Sequence, residues 1–231
     1  MIVVCAGPIG NPVARLLALV TARGHQLVRS PDALPPGDEP VVLAVSDGPS
    51  VFDYLTAVQQ LGSHPLRTLM LSRLGSHPDA RAASLQRLWR LEEHVRAGNA
   101  PVLTLRFAPL VGPETPLWRR LRSRPALPNG GRKLLNPVAE RNAVETLNRA
   151  LDGRARWEGW YEVAGPDAVT LAELRDLATR TPFSGPPADT GEWEPSLEEM
   201  MEHRLAETEP WASHFGIVPT PMAAWAGAAT A

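Results

Sequence analysis

Residues 2–5 read Ile-Val-Val-Cys, a continuous apolar, largely β-branched run of the kind that fills a strand buried on both faces of a parallel sheet. The run breaks at Gly7. Asn11 then stands where a helix cap belongs and Pro12 at the first helical position, where its missing N–H is no loss. Val13, Leu16, Leu17 and Val20 recur at helical spacing until Gly24 ends the pattern. Residues 26–28 predict a short second strand and residues 41–45 a third, buried one. Between them lies RSPDALPPGDE, whose prolines exclude a crossover helix. A dozen extended residues still span roughly 40 Å, enough to pass a neighbouring strand and re-enter the sheet in parallel.

The alternation continues. Ser50 predicts a helix start, with Val51, Tyr54, Leu55 and Val58 on one face and Gly62 at its end, followed by a strand over 67–72. A helix over 82–97 closes at Gly98, a strand follows over 102–107, and a helix over 141–151 closes at Gly153. Residues 161–164 form a late strand. Thr170 with Glu173, and Ser196 with Glu199, have capping-box spacing ahead of Leu171, Leu174 and Leu177 and of Leu197, Met200, Met201 and Leu205. Residues 181–194, rich in Pro, Gly and Asp, predict a mobile loop. The pattern is that of a shortened, doubly wound α/β sheet over residues 1–155 with a small α-rich lobe over 156–231.

The chain is 231 residues long, 44% hydrophobic and 21% charged, which suits a folded sheet-centred unit. A formal net charge of -2 removes the footprint that nucleic acid or anionic membrane binding requires. Cys5 is the sole cysteine, so neither an internal disulfide nor a Cys-based zinc site is expected, and the cytoplasm is the expected compartment. The opening apolar run is too short for a signal peptide, and no run approaches a membrane span.

Gly7-Pro8-Ile9-Gly10 lies between the first strand and its helix, where a dinucleotide fold needs a tight turn and close backbone approach to pyrophosphate at a positive helix end. With Leu71-Ser72 at a strand end, LRFAPLVGP at 105–113 and YEVAGPDAVTLAEL at 161–174, the chain resembles an atypical extended short-chain dehydrogenase/reductase, in the NAD-dependent epimerase/dehydratase superfamily. FGIVPTPM at 215–222 is similar to the C-terminal signature of NmrA-like regulators and of proteins related to the nucleotide-binding accessory subunit of respiratory complex I. The resemblance implies a Rossmann-like sheet and a nucleotide at Gly7, Pro8, Ile9 and Gly10.

Departures from the family pattern shape the functional expectation. The third glycine of the family turn is Val13 here, and Pro8 and Pro12 lack N–H groups in the phosphate-facing loop, each lost charge-assisted donor being worth about 1.5–3 kcal/mol. Arg29 follows the second strand where NADP-preferring relatives place an arginine, so NADP is the expected nucleotide, bound weakly if at all; the alternative is a solvated surface arginine. Family redox chemistry needs Tyr-x-x-x-Lys on one helix face, the ammonium lowering the phenol's pKa. Anchored on Glu93, those positions hold Leu85 and Trp89, read here as core residues with a reshaped apolar pocket the alternative, and Ser72 or Arg73 falls near the family's catalytic serine, Ser72 being the candidate remnant.

The remaining candidates have plainer readings. Glu199 and His203, with Glu202 beside them, have metal-ligand spacing but no third ligand, so a solvated acidic helix face is expected and no metal. Arg119, Arg120, Arg122 and Arg124 read as a surface helix, with phosphate contact the alternative, and His25 as a cation near a helix C-terminus. Trp157, Trp160, Trp193, Trp211 and Trp225 are expected to pack the C-terminal lobe. Two functions compete: a catalytically degenerate binding, sensing or assembly module, and an NADPH-dependent oxidoreductase or epimerase-like enzyme with a non-standard site. The absent crossover helix predicts uncovered apolar surface, hence a homodimer or a partner protein.

Overall fold

A computed structural model describes residues 2–7, 11–21, 24–29, 31, 34, 40–46, 50–62, 64, 66–180, 196 and 198–227. The first half alternates except where β2 is followed by β3: β1 (Ile2–Cys5), α1 (Asn11–Thr21), β2 (Gln26–Val28), β3 (Val41–Val45), α2 (Val51–Leu61), β4 (Leu66–Arg73), α3 (Ala83–Arg96) and β5 (Val102–Phe107). Short elements follow: β6 (Leu110–Val111), α4 (Pro116–Arg122), β7 (Leu134–Leu135), β8 (Val138–Ala139) and α5 (Glu140–Leu151). The chain closes with β9 (Trp160–Val163), β10 (Val169–Thr170), α6 (Leu171–Arg180), α7 (Glu209–Phe215) and α8 (Ala223–Gly227).

Six strands make the parallel central sheet, in the order β2-β1-β3-β4-β5-β9. Ile2 pairs with both Gln26 and Val41, so β1 lies between β2 and β3 and both neighbours run parallel to it. The chain therefore winds to one side of β1 and returns past it to the other. This reversal creates a switch point, and in open α/β sheets ligands bind outside the carboxyl ends of the strands at such a point. Every residue of β1 and β3 is buried, which explains why those segments are apolar runs rather than alternating ones. The stretch expected to replace a crossover helix lies almost wholly outside the described residues, as do the 181–194 loop and the side chain of Val13.

Local chemistry sets the helix ends. Ser50 accepts from the Asp53 N–H at 3.2 Å while the Asp53 carboxylate accepts from the Ser50 N–H at 2.8 Å, a reciprocal cap that holds the Asp53 carboxyl below its usual range. The inward face of α2 is Tyr54, Ala57 and Leu61; Leu55, expected on that face, is half exposed because it lies one position round the helix. Gly98 does not close α3 by a left-handed turn. Ala97 caps the helix in right-handed geometry, and what Gly98 supplies is space, since a Cβ there would lie 3.2 Å from the Tyr54 hydroxyl.

The chain divides into two compact units, 1–106 with 144–161 and 107–143 with 162–231. The first holds the sheet core, built on Val4, Leu43, Val45, Met70, Leu88, Leu91 and Val95. Trp157 and Trp160 belong to this unit, where Trp157 lies beneath the Arg67 guanidinium and Trp160 beneath that of Arg106, so they do not pack the C-terminal lobe as expected. His25 pairs with Asp152 at 3.3 Å.

The second unit has its own core around Trp118, Leu121, Leu135, Leu171, Leu174 and Met200. Thr170 and Glu173 form the expected reciprocal cap, which lowers the Glu173 carboxyl. Gly165 in the Val-Ala-Gly-Pro motif approaches Pro137 so closely that a Cβ would fall 2.1 Å from the Pro137 carbonyl oxygen, and the amide of Asn136 fixes the loop by donating to the Gly165 carbonyl at 3.3 Å. The helix expected after Ser196 is a single 3-10 turn, Glu199–Met201. Its carboxylate is not a solvated face: Glu199 is buried, the Arg204 Nε donates to the Glu199 main-chain carbonyl at 2.7 Å, and the apolar Met201 and Leu205 are exposed, as is His203. His203 Nδ1 accepts from the Leu134 N–H at 3.1 Å. Among the described residues no cluster of three metal-ligating side chains occurs, and no helix is long and apolar enough to cross a membrane.

Candidate functional site

Two groups of residues stand at the carboxyl edge of the parallel sheet. The first is the turn leaving β1. Gly7 has φ 71°, a left-handed conformation that glycine adopts without Cβ strain, and α1 begins four residues later at Asn11. Pro8, Ile9 and Gly10 lie outside the described residues. Ser46 ends β3 and is buried, and Arg29, directly after β2, is exposed. The strand, the left-handed glycine and the eleven-residue helix follow in the order a nucleotide cradle uses, and Arg29 is a cation at the end of the adjacent strand. Cys5, the last residue of β1, is buried and its thiol is pushed up to about 11 by desolvation, with Arg29 pulling the other way, so it is no nucleophile.

The second group joins β4, α3 and β5. Glu92 faces the sheet from α3 and is fully buried. Arg106 of β5 clamps it bidentately, Nη2 donating to Oε2 at 2.6 Å and Nε reaching Oε2 at 3.1 Å and Oε1 at 3.2 Å. Ser72, near the end of β4 and buried, donates its hydroxyl to Glu92 Oε1. Arg96 stands 3.6 Å from Oε2, and the Trp160 ring lies 4.5 Å below the Arg106 guanidinium. A buried carboxylate is tolerable only with its charge matched and its lone pairs filled, and this one has both. The consequence for chemistry is direct: the Ser72 proton is directed into Glu92 rather than toward a ligand.

Leu85 lies higher on α3, buried in a small cluster with Ala80 and Ala82, and Trp89 is half-buried. Neither tyrosine is on α3: Tyr54 is buried on α2 with its phenol raised by desolvation, and Tyr161 is on β9, raised by desolvation and by Glu158. Glu92 and Arg106 were absent from the sequence-based candidates. A signal existed, because Glu92 falls seven residues after Leu85, four after Leu88 and three before Val95, on the apolar stripe of α3. An acid at such a position demands a buried partner. Glu93, taken above as the family anchor, is instead exposed and pairs with Arg96 at 2.6 Å.

No protein-family model matches the chain, and no curated protein is similar to it in sequence. Solved structures do match it over nearly its whole length. A short-chain dehydrogenase/reductase superfamily protein from Agrobacterium tumefaciens with bound NAD has a TM-score of 0.63 and 14% identity, covering 98% of this chain and 94% of that one. The fold is the Rossmann-like α/β fold that these structures share. Two epimerases share it. UDP-glucuronic acid 4-epimerase from Bacillus cereus, in complex with UDP-glucuronic acid and NAD, has a TM-score of 0.63 at 11% identity, covering 99% and 98% of the two chains. UDP-glucose 4-epimerase from Thermus thermophilus, in complex with NAD, has a TM-score of 0.60 at 15% identity, covering 95% and 94%.

Proposed function

We propose that this chain is a nucleotide-binding module on a short-chain dehydrogenase/reductase fold, of the atypical, NmrA-like kind, that takes NADP weakly at the Gly7 turn and acts in binding, sensing or assembly rather than redox catalysis. The observation that carries this reading is the Ser72–Glu92–Arg106 cluster: the serine that would orient a substrate carbonyl is locked onto a buried carboxylate. Leu85 and Trp89 offer no phenol or ammonium beside it. Moving the anchor from Glu93 to the buried Glu92 shifts the family spacing by one residue, onto Ser84 and Leu88, and those side chains cannot form the proton-shuttling pair either.

Nicotinamide, when bound, would supply hydride chemistry; the chain's own residues would hold the pyrophosphate at the Gly7 turn and the 2′-phosphate at Arg29. The second reading, an NADPH-dependent oxidoreductase or epimerase-like enzyme drawing its protons from water or substrate, is favoured by Arg29 and by the preserved strand-turn-helix. Thermal shift with millimolar NADPH and NADH separates the two. Modest stabilisation by NADPH that Arg29→Ala removes, with no substrate-dependent oxidation, is the expected result; tight binding with turnover overturns it. The homodimer expectation now rests on α2, where Phe52 and Leu55 are 76% and 53% exposed, rather than on the sheet, whose β1 and β3 are covered along their length. Sedimentation that stays monomeric at high concentration would remove it.

A further inference from the structure

We propose that residues 217–227 form a detachable strap, latched onto the second unit by side chains and plugged by Trp225, whose release uncovers Trp118. The strap follows the left-handed cap of α7 at Gly216, a built-in hinge where the chain leaves a fixed helix. From Val218 to Met222 it is held by side chains. The Asn142 amide donates to the Val218 carbonyl at 3.3 Å and accepts from the Thr220 N–H at 2.9 Å, as a neighbouring strand would. Arg141 Nε donates to the Thr220 hydroxyl at 3.0 Å, and Asp167 accepts from the Met222 N–H at 2.6 Å. Among the described residues no main-chain hydrogen bond joins 218–222 to another element. From Val218 onward the strap can therefore leave without opening any sheet of the unit, while Ile217 keeps its N–H on the Ala212 carbonyl at 2.9 Å.

The plug itself is poorly satisfied. Trp225 meets Trp118 edge to face at 6.1 Å, and neither buried indole N–H has an acceptor among the described residues. Opening the strap hydrates both donors, which offsets part of the apolar contact that is lost. Val218 is 86% exposed, and Ile217, Thr220 and Trp225 are what the strap buries. The segment thus has the features of a low-stability unit able to open by itself: its latches are a few side-chain hydrogen bonds, most of them only part-buried, and no strand pairing ties its Val218–Met222 stretch to the unit.

Hydrogen exchange of the full chain tests this. Peptides covering 217–227 should exchange together, at least about a hundredfold faster than those of α6. Asp167→Ala and Asn142→Ala should each speed the strap by about tenfold and leave α6 unchanged. Trp225→Phe, which keeps a ring and removes one stranded donor, should leave the strap as protected as before or more so. Equal protection of strap and α6 in the native chain, or latch variants that accelerate α6 to the same degree, would overturn the proposal.

Discussion

Replacing Arg106 by alanine tests whether the buried ion cluster holds the sheet edge together. The substitution removes the bidentate donors at 2.6 and 3.1 Å and leaves the Glu92 carboxylate, fully buried, with the Ser72 hydroxyl and the more distant Arg96. Breaking a buried pair by deleting one partner costs about 3–5 kcal/mol, because the remaining charge is uncompensated. Arg96, whose side chain is 41% exposed, offers partial compensation, which puts the expected loss near the lower end, about 3 kcal/mol. For a chain of this size that is a fall in Tm of about 6–12 °C. The double variant Glu92→Leu with Arg106→Leu should recover most of the loss, since an apolar pair of similar volume carries no desolvation penalty. Urea denaturation of the wild type, Glu92→Leu, Arg106→Leu and the double variant closes the cycle. A loss below about 1 kcal/mol in Arg106→Ala, the value of a solvent-exposed pair, or a double variant no more stable than the single ones, would refute the reasoning.

Other consequences are as direct. Gly165→Ala must push a Cβ into the Pro137 carbonyl, so it should cost about 3 kcal/mol or more and reduce soluble yield, read by thermal melts. Cys5 should resist thiol reagents at pH 8 in the folded chain and react at once in urea, because its thiol is buried and pushed up to about 11; equal labelling rates would contradict this. Asp53 and Glu173 have folded carboxyls held below their unfolded values of 3.8 and 4.5 by their capping hydrogen bonds. Their contribution is therefore present above those values and lost as pH falls through the lowered folded ones, and Ser50→Ala with Thr170→Ala should flatten the acid limb of the stability profile below about pH 4.5.

The sheet was legible in the chain because its strands are runs rather than alternations. Ile2 to Cys5 and Val41 to Val45 are buried on both faces, and in that environment side-chain direction no longer matters, so hydrophobicity alone marks the element. Gly24, Gly62 and Gly153 marked turns correctly because a positive φ is a local demand. Gly98 marked the helix end without that demand: its φ is not positive, and what it relieves is crowding by the Tyr54 hydroxyl and the Val95 carbonyl, each 3.2 Å from where a Cβ would stand. The Ser196 to Leu205 segment carries a capping signal and apolar spacing, yet makes one 3-10 turn: Glu199 is buried, and the Arg204 main chain pairs with Leu134 and Asn136, tertiary contacts that outrank local propensity.

The candidate site divides along the same line. The Gly7 turn is a contiguous feature in which strand, glycine and helix follow one another, so its local shape could be read from order. The Ser72–Glu92–Arg106 cluster draws on three elements separated by 20 and 14 residues, and only packing brings them together. Sequence could say that a tyrosine and lysine pair was missing from the helix; it could not say that a carboxylate one turn further along held the serine. Periodicity determines which face of α3 turns inward, but the partner that lets an acid stand on that face is chosen by the neighbouring strand, across distances the linear chain does not encode.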